Sequence, residues 1–277
     1  MKQGIDFIKC NPTQNMTILV KTNYPADEYK HIAAKMMSYD SVYAEQVGFI
    51  EKPLNERAAA HLQMAGGEFC GNACMALAAF IASEKDLKQH DWTEVLLEVS
   101  GADQLIMCQV KKNVDEYNCR VAMPIPEKIE QKTVKYDGSD LNLIIVRYHG
   151  FLHIVIEVKE CSETVREKAQ SLAKLLGVTL DANLIGVLLY QPKSDELAPL
   201  IYVPHLDSMV WERGCGSGTA SIGAYLAWKN KRGIRANIKQ PGGTIRVFAD
   251  VEKEELTNLI IEGSVSIVAE GKAFINI

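Results

Sequence analysis

The chain carries one short pattern twice. Glu68-Phe69-Cys70-Gly71-Asn72-Ala73-Cys74-Met75-Ala76 is matched by Arg213-Gly214-Cys215-Gly216-Ser217-Gly218-Thr219-Ala220-Ser221, about half of the 277 residues further on. Each Cys-Gly pair opens a run of small residues with helical character, CMALAAFIAS and TASIGAYLAW, and each follows strand-like material, AAAHLQM and PLIYVP. The pieces downstream also correspond. Glu98-Val99-Ser100-Gly101 and Gln240-Pro241-Gly242-Gly243 each lead into a hairpin. The economical inference is two similar lobes facing each other across a cleft. The lobes are expected at 1–135, carrying Cys70, and 136–277, carrying Cys215, with the last strand able to return to the first lobe.

Between the repeats, β-rich runs at 16–20, 95–99 and 154–158 alternate with amphipathic stretches that predict helices over 26–37, 72–84, 161–176 and 219–230. Short turn-like connections, such as Gly101-Ala102-Asp103 and Pro241-Gly242-Gly243, predict mostly antiparallel sheets. The fold class is therefore α+β. A chain of this length, 47% hydrophobic and 23% charged, has material for a sizeable core and excludes a disordered or collagen-like polymer. Its 30 Lys and Arg stand against 35 Asp and Glu with no basic block, which argues against a nucleic-acid partner and an anionic membrane surface. No apolar run approaches a membrane span, and the polar start is unlike a signal peptide. Seven cysteines without a secretory address predict reduced thiols and a cytoplasmic protein.

A cysteine at the start of a helix lies beside unpaired backbone N–H groups and the positive end of the helix dipole, a setting that favours thiolate. The glycine after it lets an anion approach the backbone. Two such sites in matched lobes would present sulfurs to opposite faces of one bound molecule. That arrangement suits inversion at an acidic carbon, where a thiolate removes a proton from one face and a thiol returns one to the other. In the reverse direction the roles exchange, so near-symmetric lobes follow from the chemistry. An α-amino acid has such a carbon, and two helix N-termini would stabilise the charge that builds on its carboxylate. No lysine motif suggests pyridoxal phosphate, and the reaction needs no cofactor.

These residues resemble those of the cofactor-independent, two-cysteine amino-acid racemases and epimerases of the diaminopimelate epimerase fold. Phe69-Cys70-Gly71-Asn72-Ala73 is similar to that family's first motif. Cys215-Gly216-Ser217-Gly218-Thr219-Ala220 is similar to its second, and also to the proline racemase version. Asn15 in PTQNMTILV, Gln46 in EQVGFI and the terminal QPGGTIRV…IEGSVSIVAEGKAFI also fit. The resemblance implies two pseudo-symmetric lobes, each a barrel-like, mostly antiparallel sheet around a central helix, with the active site in the cleft. Within the fold the chain is most similar to histidine racemases that begin staphylopine-type metallophore synthesis. That similarity implies Cys70 and Cys215 as the acid–base pair, with Gly71, Asn72, Gly216 and Ser217 cradling the carboxylate. Asn15 and Gln46 would line the pocket, and Glu212 would serve the substrate ammonium or Cys215. Phe151 stands where diaminopimelate epimerase has an Asn, and Glu212-Arg213 nearly abuts Cys215 instead of lying well upstream. Groups that would grip a second amino-acid head are thus lost or displaced, which favours a neutral, flat side chain such as imidazole. His153 persists, and by resemblance assists Cys70.

The expected partner is a small amino-acid substrate; a homodimer is left open. Within the same fold, diaminopimelate epimerase or another amino-acid racemase is the alternative. Outside it, the alternative is a non-catalytic amino-acid-binding or thiol-redox protein. Cys70 and Cys74 have a spacing that can bind metal, but no second pair completes a site, so no metal is expected. Cys10, Cys74, Cys108, Cys119 and Cys161 read as structural. His31 and His90 read as surface residues, whereas His61, His149 and His205 suit either the core edge or the pocket. Arg213 suits a substrate ligand or an exposed neighbour, and Tyr148 and Phe151 a pocket wall or core. GCGSGT lacks a nucleotide-binding spacing.

Overall fold

The structure, a computed structural model, describes residues 2–85, 91–179, 182 and 184–276. Strands β1 (Lys2–Pro12) and β2 (Thr17–Val20) lead through a 3-10 turn at Ala26–Glu28 and α1 (Tyr29–Met37) to β3 (Gln46–Glu51), which lies parallel to β2. β4 (Ala60–Met64) continues through α2 (Gly71–Ser83) to β5 (Trp92–Val99), parallel to β4, and then β6 (Ile106–Lys112) and β7 (Tyr117–Ala122). The order then recurs. β8 (Lys128–Tyr136), β9 (Ser139–Tyr148) and β10 (Phe151–Glu157) lead through α3 (Glu163–Thr179) to β11 (Leu184–Gln191), parallel to β10. β12 (Glu196–Val203) and β13 (Ser208–Trp211) lead through α4 (Gly216–Asn230) to β14 (Ile234–Gln240), which meets β12 in a parallel sense at Glu196 and Lys239. β15 (Gly243–Glu252) and β16 (Glu255–Asn276) complete the chain.

The sheets are mostly antiparallel, as the short turns predict. The parallel pairs are the part that turn chemistry does not reveal. Each has a helix in its connection, because parallel neighbours need a long crossover.

The chain forms two compact units, Met1–Ala122 with Glu262–Ile277, and Met123–Ile261. The division expected at 135/136 falls inside β8, which turns directly back onto β9 and cannot be separated from it. The break instead follows β7. In the first unit the strands run β1 to β7 in order, and β16 pairs with β1 from Lys2 opposite Asn276 to Pro12 opposite Val265. This closes a barrel around α2, which touches every strand from β1 to β7. In the second unit the order is β8-β9-β10-β11-β12-β14-β15, with β13 paired to β12, and α4 packs on β9, β10, β11, β14 and β15.

The sequence explains which helix goes inside. α2 and α4 are small and apolar on every side, so only a surrounding sheet satisfies them. α1 and α3 have a single apolar face and lie on the outside of their sheets. Ile32, Ala33 and Met36 of α1 join Ile18, Val47 and Phe49, whereas Ala169, Leu172 and Ala173 of α3 join Ile154, Val187 and Leu200.

Candidate active site

In the first unit, Cys70 is the N-cap of α2. Its backbone is extended (φ −134°, ψ 108°), and its sulfur accepts the Ala73 N–H at 3.4 Å. The peptide before it is seated on the turn after β5. Ser100 Oγ donates to the Glu68 carbonyl at 2.9 Å, and Gly101, at φ +71°, approaches so closely that a Cβ there would lie 2.4 Å from Phe69 N. The Cys70 thiol donates to Gln46 Oε1 at 2.9 Å. Gln46 Nε2 in turn donates to Asn15 Oδ1 at 2.6 Å and to Thr17 Oγ1 at 2.8 Å, and the Thr17 hydroxyl donates to the Asn15 carbonyl at 3.1 Å. Asn15 is buried directly after Thr13 and Gln14, which turn the chain through left-handed conformations (φ 50° and 59°). Gly71 and Asn72 form the first turn of α2, with Asn72 buried.

The second unit has a parallel arrangement. Cys215 caps α4 with the same extended backbone (φ −113°, ψ 107°), and its sulfur accepts the Gly218 N–H at 3.2 Å, with Ser217 Oγ at 3.6 Å. Gln240 Oε1 accepts the Cys215 N–H at 2.7 Å, while its Nε2 donates to Thr219 Oγ1 at 2.8 Å. The Thr219 hydroxyl donates to the Cys215 carbonyl at 2.7 Å. This capping explains why α4 begins at Gly216, earlier than the 219 expected from the glycine-rich sequence: thiol and glutamine bonds hold a turn that glycine alone leaves loose. Burial pushes the Cys215 thiol well above its usual range, and the facing Glu212 carboxylate, to which the thiol hydrogen-bonds, pushes the same way. Contacts from Ser217 and Gly218 oppose that shift.

His153 is fully enclosed. Its Nδ1 lies 2.7 Å from Ser221 Oγ on α4, and Tyr148 Oη meets the same hydroxyl at 2.9 Å. Its Nε2 has no partner, and burial pushes the imidazole down from 6.5 to about 3, so the ring is neutral. Where the resemblance had His153 assist Cys70, its one polar partner is a residue of the Cys215 helix. Phe151 is half-buried, stacked on Tyr148 at 4.5 Å and edge-on to His153 at 5.3 Å.

Thr17, Thr219 and Gln240 were not singled out by motif reading. Thr219 and Gln240 lie in quoted motifs, but strand alternation cannot say that one glutamine reaches across to cap a neighbouring helix. His149 and His205 are exposed, and His61 pairs with Glu51 at 3.1 Å in the first unit. His31 is exposed; His90 lies outside the described residues. Arg213 is exposed and donates to the Pro241 carbonyl at 3.4 Å. Cys10, Cys74, Cys108 and Cys119 are buried, and no cysteine is in a disulfide. Among the described residues no three His, Cys, Asp or Glu side chains group to share a metal ion, and no helix is long and apolar enough to cross a membrane.

The architecture is shared with solved racemase and epimerase structures. A hydroxyproline epimerase from Agrobacterium vitis, with trans-4-hydroxy-L-proline bound, aligns at TM-score 0.75 and 11% identity, covering 100% of this chain and 95% of its own. A probable proline racemase from Agrobacterium radiobacter K84, with bound carbonate, aligns at 0.71 and 12% identity, covering 96% of this chain and 92% of its own. These two are proline-type enzymes, whereas the motifs had pointed to the diaminopimelate epimerase form. Fold and sequence relatives together define the class as an isomerase of the racemase and epimerase kind. The model of the histidine racemase CntK N-terminal domain matches residues 4–274. Histidine racemases of Staphylococcus aureus (strain Mu50) and Fusobacterium nucleatum subsp. nucleatum (strain ATCC 23726) are each 33% identical, over 99% of this chain and 99% and 98% of their own lengths. The chain belongs to this histidine racemase family.

Proposed function

We propose that the protein interconverts L- and D-histidine without a cofactor, with Cys70 and Cys215 serving opposite faces of the α-carbon. The single observation that carries this reading is the matched pair of cysteine-capped helix starts. Each sulfur accepts a first-turn amide, at 3.4 Å for Cys70 and 3.2 Å for Cys215, and each thiol has an acceptor, Gln46 or Glu212.

The two acceptors differ in a way that supports the chemistry. An amide oxygen holds the Cys70 proton in place but does not take it, whereas the Glu212 carboxylate can. In the free protein, burial and Glu212 hold Cys215 as a thiol. Turnover requires that proton to pass to Glu212, which makes Cys215 the thiolate while Cys70 stays the thiol. Cys215 takes the α-proton as Cys70 delivers its own to the other face, leaving Cys215 as thiol and Cys70 as thiolate. The reverse reaction runs from that state. First-turn backbone N–H groups of Gly71, Asn72, Gly216 and Ser217 would hold the substrate carboxylate, since helix starts leave such donors outside the helical ladder. Asn15 acts through Gln46. Phe151 would offer a flat wall to the imidazole. Family membership supports the further reading that the product feeds an opine-type metallophore pathway in the cytoplasm.

Incubation in D₂O without added cofactor tests the proposal. Histidine should gain one α-deuterium as its optical rotation decays, with much slower exchange in diaminopimelate. Exchange confined to diaminopimelate would reassign the substrate, and no exchange with any amino acid would leave only binding.

A further inference from the structure

The Gln46 side chain meets Cys70 with its oxygen. An amide's oxygen and nitrogen ends have nearly the same shape, and the opposite end would donate a hydrogen bond to the sulfur. Oxygen inward favours the thiol; nitrogen inward favours the thiolate. The orientation of Gln46 thus biases the protonation of Cys70 before any substrate arrives.

Asn15 alone does not fix that orientation. Gln46 Nε2 donates to Asn15 Oδ1 at 2.6 Å, but two facing amides can turn together and restore the same bond with the roles reversed. Thr17 breaks the tie. Its hydroxyl has one proton, which goes to the Asn15 main-chain carbonyl at 3.1 Å, so its oxygen is left as an acceptor and takes a Gln46 N–H at 2.8 Å. Turning Gln46 over would set carbonyl oxygen against hydroxyl oxygen. The only escape is to swing the Thr17 proton away and leave a buried carbonyl without its donor. Thr17 is fully buried and pairs with Gln46 in the β2–β3 register, so no bulk water replaces the lost bond. The second unit orients a glutamine by the same device: Gln240 Nε2 donates to Thr219 Oγ1, whose proton is committed to the Cys215 carbonyl.

We propose that Thr17 is a positioning residue for Cys70: by fixing which end of Gln46 faces the sulfur, it keeps Cys70 in the proton-donating form. This rests on the reading of Cys70 as one of two acid–base thiols. Its test uses no substrate, so it can fail without that reading failing.

The experiment follows alkylation of the intact protein by iodoacetamide across a pH series, with the Cys70 and Cys215 peptides quantified separately by mass spectrometry. In Thr17→Val the Cys70 midpoint should fall by about one pH unit, giving about tenfold more thiolate at a given pH below it. Thr17→Ser, which keeps the hydroxyl, should retain the wild-type midpoint, and Cys215 should titrate alike in all three proteins. An unmoved Cys70 midpoint in Thr17→Val overturns the proposal. So does an equal shift in Thr17→Ser, or a shift shared by Cys215, either of which marks general loosening. Should Thr17→Val not fold, Thr17→Ala removes the same hydroxyl and must lower the Cys70 midpoint; an unchanged value there overturns the proposal as well.

Discussion

At the scale of single residues, the two sulfurs are set apart by what accepts their protons. Replacing either with a hydroxyl, in Cys70→Ser or Cys215→Ser, removes one face of the inversion, and racemisation of histidine should fall by roughly a thousandfold or more in each. A polarimetric assay near the wild-type rate for either variant would refute the pairing. Glu212→Gln separates two properties that usually move together. Burial is the larger cause of the raised Cys215 thiol pKa and the Glu212 carboxylate the next, so the neutral variant should alkylate at Cys215 at lower pH. It should nevertheless turn over more slowly, because an amide cannot receive the proton. His153 gives a different test. Its folded pKa of about 3 lies below the ordinary 6.5, so the unfolded chain binds a proton that the folded chain refuses. Its contribution to stability is intact above about pH 6.5 and is lost as pH falls from there towards 3. Between pH 7 and pH 5 that amounts to about 2 kcal/mol. Urea titrations at both pH values should show His153→Asn losing less stability over this interval than the parent; equal losses would mean that the imidazole becomes protonated without cost.

Among the elements, the inner helices follow from residue size. α4 carries Gly223 where it faces β15, and a Cβ there would lie 2.3 Å from Val247 Cγ2. Alanine is the better helix former by about 1 kcal/mol. Yet Gly223→Ala should destabilise by about 1–3 kcal/mol through overpacking, because Val247 is completely buried and backed by sheet. Adding Val247→Ala should recover part of that loss, and a thermodynamic cycle from chemical denaturation measures the coupling. Two strictly additive changes would show that helix and strand do not press together there. The helices were legible because small-residue runs and helix starts are local. α2 was expected over 72–84 and spans Gly71–Ser83. Cys70 and Cys215 stood out for the same reason. Thr17 did not, because its role depends on Gln46 of a strand that pairs with it only after α1 has crossed over, and no local spacing encodes that register.

At the scale of the whole chain, the duplication was readable and the ownership of the last strand only partly so. Val265, Ala273 and Ile275 of β16 are buried, so residues 262–277 read as core but do not announce which sheet they complete. They complete the first unit, running the length of β1, whereas the second unit is continuous in sequence. The consequence is an asymmetry in autonomy. A fragment spanning 123–261 keeps its core and its strand order, and should unfold cooperatively on heating. A fragment spanning 1–122 lacks the strand that closes its barrel; it leaves the edge of β1 from Lys2 to Pro12 unpaired, and should aggregate or show no sharp transition. Joining 262–277 to it through a flexible linker restores the pairing of Lys2 with Asn276 through Pro12 with Val265, and with it a cooperative melt. If 1–122 alone melts as sharply as the joined form, closure by β16 is not what stabilises that unit, and the barrel around α2 holds through its other strands.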